Sequence, residues 1–337
     1  MTTHDTAYVG TFTDGDGSGI YRCRTDSESG VIEQVGTSEA GENPSFLAIC
    51  PTGDYLYAAN EVDPGTVTAF EVSESGDLSL HNMVESGGQG PAHVSVDATG
   101  SMLLVSDYHG GVLSVLPLAE DGRVEEPTQV IDHGGGANVH TAVPGPENEV
   151  AYVTALGNDE LLVYDMDVEE CTLDEKQRVS VPSGSGPRHV DIHPDGSYLY
   201  LLCEQQSTLF AFDRDSDGTL SVAAGIDTLP PEASGDNYPA EVRVHGSGRF
   251  LFVSNRGYDS IATFDLADPA RPELVGQTDS GGSWPRHFAV SPDGTFLYVA
   301  NQKSNDVHAF RIDEDGELEA TGNVVEIPQP VCVLFAD

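Results

Sequence analysis

A recurring hairpin pattern constrains the fold of this chain more than any other feature. The clearest copy is GSGPRHVDIHPDGSYLYLLCEQ, which covers residues 184–205. Its alternating apolar run, Pro-Asp-Gly turn and second apolar run ending on polar residues form the pattern of a β-hairpin. Similar segments recur at intervals of 46 to 52 residues, beginning at Pro44, Pro91, Val139, Pro187, Pro239 and Pro285. The chain is therefore built from repeats.

The repeat length predicts a β-propeller. Further strands follow each hairpin, and no segment shows sustained helical apolar spacing, so four-stranded blades are favoured over a helical array. At the N-terminus, residues 6–12, 19–25 and 31–38 match the later strands of a repeat, whereas residues 329–335 match a first strand. We therefore predict an all-β, seven-bladed β-propeller that forms a single domain over residues 1–337. One C-terminal strand joined to three N-terminal strands would close the ring.

The charge is strongly acidic, with 56 acidic and 14 basic residues and a formal net charge of -42. Only Lys176 and Lys303 are lysines, and the acidic residues are spread over the predicted turns. This pattern resembles halophilic proteins with an acidic surface, in which concentrated salt screens the repulsion. We expect nucleic acid and anionic membranes to be poor partners, and the protein to be a monomer or a weak homo-oligomer.

The cysteines and the N-terminus indicate a cytoplasmic protein. The five cysteines are scattered without a CxxC motif, which favours buried free thiols over disulfides or a metal site. The first residues, MTTHDTAYVGTF, lack the basic region and apolar core of an export signal. Because no metal-binding motif or phosphate-binding loop occurs, we expect no cofactor.

The hairpin alignment predicts which side chains meet at the channel. Without a bulge, the residue after each opening proline should face the last residue of the second strand. The first strand of each blade lines the channel, so these positions should surround one mouth of it. The predicted pairs are Ser45/Glu61, Ala92/Tyr108, His140/Leu156, Arg188/Glu204, Ala240/Arg256 and Arg286/Gln302. The next position along the first strands adds His93, His189, Glu241 and His287.

Arginine is concentrated in this predicted ring. Arg188, Arg256 and Arg286 belong to consecutive repeats of a very acidic chain, which favours a small anionic ligand. A purely structural cross-strand pair between Arg188 and Glu204 is the alternative. Under the ligand hypothesis, we expect substrate contacts from Glu61, His93, Tyr108, His189, Glu241, Arg286 and His287.

Several motifs together resemble one family. They include YVGTFTDGDGSGIY, YLYAANE, SDYHGG, LGNDELLVY, GPRHVDIHPDG, FLFVSNRG and PRHFAVSPDG followed by YVANQ. With these motifs, the whole chain resembles the seven-bladed propeller lactonases, which include 6-phosphogluconolactonases and carboxymuconate cyclases. The resemblance implies an active site of His, Arg, Glu and Arg at the channel mouth, and these positions correspond to His140, Arg188, Glu204 and Arg256.

The resemblance implies hydrolysis of a sugar lactone, with 6-phosphogluconolactone as the first choice of substrate. His140 or Glu204 would act as general base, and Arg188 and Arg256 would hold the substrate anion or the developing oxyanion. One alternative is a cycloisomerase, in which the base removes a proton from carbon. Another is a non-enzymatic propeller that presents its face to a protein partner, although no WD or kelch signature is present.

The longest interval between repeats contains an insertion, Asp227–Asn237. Pro230 and Pro231 stiffen its first half, whereas the Ser-Gly-Asp-Asn sequence at its end favours mobility. The antiparallel order of a blade brings this segment to the same face as Arg188 and Arg256. It is either a solvated surface loop or a partial lid over the mouth.

Overall fold

The computed structural model describes residues 4–336 and confirms the seven-bladed propeller. Seven antiparallel sheets of four strands each form the blades. In chain order, the first fourteen of the 28 strands are β1 (His4–Thr11), β2 (Ile20–Asp26), β3 (Ile32–Ser38), β4 (Pro44–Ile49), β5 (Tyr55–Asn60), β6 (Thr66–Val72), β7 (Leu78–Glu85), β8 (Pro91–Val96), β9 (Met102–Asp107), β10 (Val112–Pro117), β11 (Gln129–Asp132), β12 (Val139–Pro144), β13 (Val150–Ala155) and β14 (Glu160–Asp167). The others are β15 (Thr172–Ser180), β16 (Pro187–Ile192), β17 (Tyr198–Cys203), β18 (Thr208–Arg214), β19 (Leu220–Asp227), β20 (Tyr238–Val244), β21 (Phe250–Arg256), β22 (Ser260–Asp265), β23 (Glu273–Asp279), β24 (Pro285–Val290), β25 (Phe296–Asn301), β26 (Asp306–Ile312), β27 (Leu318–Glu326) and β28 (Pro330–Phe335). A short 3-10 helix spans Leu156–Asn158.

The ring closes as the two ends of the sequence predict. Strand β28 pairs antiparallel with β1, and Val333 lies opposite Val9. The closing sheet has the order β28, β1, β2, β3, so one C-terminal strand completes a blade of three N-terminal strands. This arrangement pairs the inner edge of the first three strands and joins the two ends of the chain within one sheet.

Each inner hairpin contains a β-bulge that the sequence alignment did not predict. In the fourth repeat, Pro187 pairs with Cys203 and His189 pairs with Leu202, which leaves Arg188 between them without a partner. The other five hairpins also shift register after the opening residue. The predicted facing pairs are therefore wrong in register, and Arg256 lies opposite Tyr238 instead of Ala240. A bulge redirects the side chain of its extra residue, which explains how Arg188 points into the channel mouth.

Buried tyrosines connect neighbouring blades. The hydroxyl groups of Tyr8, Tyr57 and Tyr152 donate to carbonyl groups in turns of the next blade, at 2.8, 3.1 and 2.9 Å. The rings fill the apolar space between sheets while the hydroxyl groups satisfy buried carbonyls, so each tyrosine contributes both packing and a polar contact. All five cysteine thiols are free and buried, which confirms the expectation from their spacing.

Across residues 4–336, no helix has both the length and the apolar character needed to cross a membrane.

Candidate active site

Side chains from several blades meet in a pocket at one mouth of the channel. The pocket has a volume of about 200 Å³ and is lined by Glu61, Ala92, Tyr108, His109, His140, Arg188, Glu204, Arg256 and Arg286. We call it the mouth pocket. It brings together all four residues that the family resemblance implied, and three of the residues predicted to contact substrate. His109 was not among the predicted site residues, although it directly follows Tyr108 at the end of a strand.

Glu204 connects two arginines of different blades. Its Oε2 atom lies 3.1 Å from Arg188 Nε and 3.0 Å from Arg256 Nη2. Each arginine also donates to a backbone carbonyl: Arg188 Nη1 to Ala240 O, and Arg256 Nε to Tyr238 O at 2.8 Å. The predicted ion pair between Arg188 and Glu204 is therefore present, but a second guanidinium shares the same carboxylate oxygen.

Burial weakens the hold of both arginines on their protons. It lowers the pKa of Arg188 to about 9, and the positive charge of Arg256 adds to this effect. Burial likewise lowers the pKa of Arg256 to about 10, although the carboxylate of Glu204 partly opposes the change. Both groups keep their charge at neutral pH, and with Arg286 the pocket has three guanidinium groups but only the two carboxylates of Glu61 and Glu204 in its lining. An anionic ligand would relieve this imbalance.

Arg286 adds a third guanidinium to the mouth pocket. Its Cζ atom lies 5.1 Å from the centre of the Phe12 ring, a cation–π contact. No carboxylate of residues 4–336 forms an ion pair with it, in contrast to Arg188 and Arg256. The guanidinium is therefore available to an anionic group of a ligand.

His140 supplies a neutral imidazole at the edge of the pocket. Burial, together with the nearby charge of Arg188, places its pKa well below the ordinary value of 6.5. Its ring contacts Tyr108 and His189 edge-on, with centroid distances of 5.7 and 5.0 Å. Because it is unprotonated at neutral pH, the imidazole can accept a proton from water.

The other predicted substrate contacts form a buried layer beneath the mouth pocket. This layer consists of His93, His189, Glu241 and His287, and none of them lines the pocket. Glu241 is fully buried, and its Oε2 atom lies 3.1 Å from both His189 Nδ1 and His287 Nε2. A direct role for these four residues in substrate binding stays a prediction.

Arg243 completes this layer and was missed by the sequence analysis. Its Nη1 atom lies 3.1 Å from Glu241 Oε1. The two residues are separated by one position on β20, so strand alternation places both side chains on the channel face, and this signal could have revealed Arg243. Burial lowers the pKa of His93 to about 3 and that of His287 to about 4, so the histidines of the layer are neutral at pH 7.

The insertion before β20 ends beside the mouth pocket. Asn237 Nδ2 donates to Ser207 Oγ at 3.0 Å and to Asn255 Oδ1 at 2.9 Å, and the next residue, Tyr238, accepts from Arg256. The C-terminal end of the insertion is thus fixed next to a pocket arginine. Its function as a lid stays a prediction.

Within residues 4–336, no three or more His, Cys, Asp or Glu side chains are grouped so that they could hold a metal ion.

Comparison with known proteins identifies the family. The family model described as "Lactonase, 7-bladed beta-propeller" matches residues 6–335. The chain belongs to this lactonase family. It is 30% identical to a 6-phosphogluconolactonase of Bacillus subtilis, with 97% of each chain covered. It is 31% identical to a 6-phosphogluconolactonase of Formosa agariphila, over 77% of this chain and 78% of the relative.

The solved structure of a periplasmic gluconolactonase from Pseudomonas aeruginosa superimposes on this lactonase with a TM-score of 0.93. The two chains are 28% identical, and 99% of each is covered. The similarity therefore extends around the whole ring and includes every blade that contributes to the mouth pocket. Together with the family match, it confirms that the chain is a lactone-hydrolysing enzyme, as the resemblance implied.

Proposed function

We propose that this lactonase hydrolyses a phosphorylated sugar lactone of the 6-phosphogluconolactone type in the mouth pocket. The observation that carries the proposal is the pair of buried arginines sharing Glu204 beside a neutral His140, with Arg286 unpaired nearby. The names of the Bacillus subtilis and Formosa agariphila relatives support the same substrate class.

In the proposed reaction, His140 accepts a proton from a water molecule as that water attacks the lactone carbonyl. We assign the base to His140 because the Oε2 atom of Glu204 is already engaged by two guanidinium groups. Negative charge then develops on the carbonyl oxygen, and Arg188 and Arg256 stabilise it. As the ring opens, the imidazolium returns its proton to the departing ring oxygen, and the product is a hydroxy acid.

Arg286 would bind the phosphate group of the substrate. Its guanidinium is the one in the mouth pocket without a carboxylate partner among residues 4–336, so a phosphate would not have to displace an existing ion pair. A lactone without phosphate would lose this contact and should bind more weakly.

The test is lactone opening by the purified protein in concentrated salt, measured against the spontaneous rate. We expect 6-phosphogluconolactone to be opened with a higher kcat/KM than gluconolactone, and Arg286→Ala to remove most of this preference. Arg256→Ala should lower kcat by about 100-fold or more. Arg24→Ala is the matched control, because Arg24 pairs with Glu33 on the exposed surface, away from the mouth pocket. No acceleration by the parent protein would refute the proposal.

Neither a cycloisomerase nor a protein-binding propeller is favoured by the relatives. Carboxymuconate lactone in the same assay distinguishes the first of these, because a cycloisomerase would interconvert it with the open acid.

We further propose a cytoplasmic, salt-adapted protein that is a monomer or a weak homo-oligomer. The net charge of -42 supports salt adaptation and weak self-association, because strong self-repulsion opposes close association of copies. The buried free cysteines support a reducing, cytoplasmic location.

A further inference from the structure

Trp284 has a backbone conformation that is unusual for a bulky residue. Its φ angle is 67°, in the left-handed region, which residues other than Gly, Asn and Asp disfavour. The residue before the first strand has the same conformation in five other blades: Asn43, Gly90, Asn138, Gly186 and Gln329. Gly and Asn, which tolerate it best, occupy four of these five positions. Six of the seven blades therefore have this conformation before the first strand, and tryptophan adopts it less readily than Gly or Asn.

The side chain of Trp284 lies against the mouth pocket without lining it. Its ring centre is 5.5 Å from Arg256 Cζ and 3.1 Å from Lys303 Nζ. The ring of Tyr238 is 5.9 Å away. One of the two lysines of the chain therefore packs on the indole, and the indole in turn contacts a pocket arginine.

The backbone of Trp284 is held by hydrogen bonds on both sides. Its N–H donates to Asp259 Oδ1 at 2.8 Å, and its carbonyl accepts from Gln302 N at 3.0 Å. Residue 284 contributes only backbone atoms to these bonds, so an asparagine at this position could form them equally well. What tryptophan adds is the aromatic face.

We propose that Trp284 is a positioning residue that holds the guanidinium of Arg256 in the orientation needed for lactone opening. Arg256 Nε is fixed by Tyr238 O and Nη2 by Glu204, and the indole adds a cation–π contact from the following blade. Strained residues persist where the surrounding structure or the function requires them. Here the strained residue contacts Arg256, the guanidinium proposed to stabilise the oxyanion. The consequence for turnover rests on the proposed function, whereas the contact itself does not.

The kinetic test uses Trp284→Asn, which suits the backbone and removes the ring. We expect kcat to fall about tenfold while the melting temperature stays within about 2 °C of the parent. Trp284→Phe, which keeps an aromatic face, should recover part of the loss. Gln329→Asn is the matched control, because Gln329 occupies the equivalent position of another blade and does not line the mouth pocket.

A double variant decides whether Trp284 acts through Arg256. If it does, Arg256→Ala combined with Trp284→Asn should be no slower than Arg256→Ala alone, because the second change has nothing left to disturb. Multiplicative losses would overturn the proposal and indicate that the ring contacts the substrate directly. Unchanged kcat in Trp284→Asn would also overturn it.

Fluorescence tests the contact independently of activity, because Trp284 is the only tryptophan of the chain. In ligand-free protein, Arg256→Ala should shift the emission maximum or change its intensity, whereas the surface variant Arg24→Ala should not. An unchanged spectrum in Arg256→Ala would overturn the proposal. If the parent opens no lactone, the proposed function fails, but the spectrum of Arg256→Ala still decides whether Trp284 holds this arginine.

Discussion

Replacing Glu204 with glutamine removes the charge that the two pocket arginines share while keeping the shape of the side chain. At separations of about 4 Å and an effective dielectric constant of about 20, each attraction is worth about 4 kcal/mol before the cost of burying the charges. Removing one member of a buried ion pair typically costs about 3–5 kcal/mol. Because the Glu204 side chain is 23% exposed, we expect the low end, about 3 kcal/mol.

The expected change in melting temperature follows from the size of the chain. At about 2.1 cal/mol/K per residue, the unfolding entropy of the 337 residues is about 0.7 kcal/mol/K. A loss of about 3 kcal/mol then lowers the melting temperature by about 4 °C. We expect kcat to fall by about 100-fold or more, because Arg188 and Arg256 also lose the carboxylate that orients them.

Thermal unfolding and initial rates in concentrated salt would measure both effects of Glu204→Gln. Glu33→Gln is the control, because Glu33 pairs with Arg24 on the surface with more than half of each side chain exposed. That pair should contribute about 0.5 kcal/mol or less, so the control should melt within about 1 °C of the parent. If Glu204→Gln has the same melting temperature and the same kcat as the parent, the shared carboxylate does not organise the pocket.

Three further predictions concern pH, salt and the insertion. The buried histidines, including His93 and His287, have pKa values of about 3 and about 4, below the ordinary 6.5, so the unfolded chain binds protons that the folded chain excludes. The free energy of unfolding should therefore fall as the pH drops from about 6.5 to about 4, by up to about 1.4 kcal/mol per pH unit for each histidine. Asp107 and Asp191, whose pKa values burial raises, that of Asp107 to about 7, act in the opposite direction. The pKa values of four buried histidines, including His140 and His189, are lowered, so the histidines outnumber these two aspartates, and a urea midpoint that is constant from pH 6.5 to pH 4 would contradict the histidine effect. With a net charge of -42, lowering salt from about 1 M to about 0.1 M should cause unfolding or aggregation, because the Debye length grows from about 3 to about 10 Å; equal melting temperatures at both would refute salt adaptation. Replacing residues 231–236 with a short Gly-Ser link should raise KM or lower kcat at a nearly unchanged melting temperature if the insertion is a lid, and unaltered kinetics would make it a surface loop.

The sequence alone determined the propeller, its seven blades and the closure of its ring. These features follow from patterns along the chain, because alternation and turn residues are recognised within one or two strands and the repeat recurs every 46 to 52 residues. The clustering of Arg188, Arg256 and Arg286 at one mouth was predictable for the same reason, since equivalent positions of successive blades must lie at the same level of the channel.

Only the tertiary structure decided how these side chains meet. The bulge after each opening residue changed the register, so that Arg188 left its strand pair and Arg256 came to lie opposite Tyr238. The sharing of Glu204 by two arginines, and the contact of Trp284 with Arg256, both join residues of adjacent blades. Their distances depend on the curvature of the ring and the packing between sheets. No local pattern encodes these, because each is set by all seven blades together.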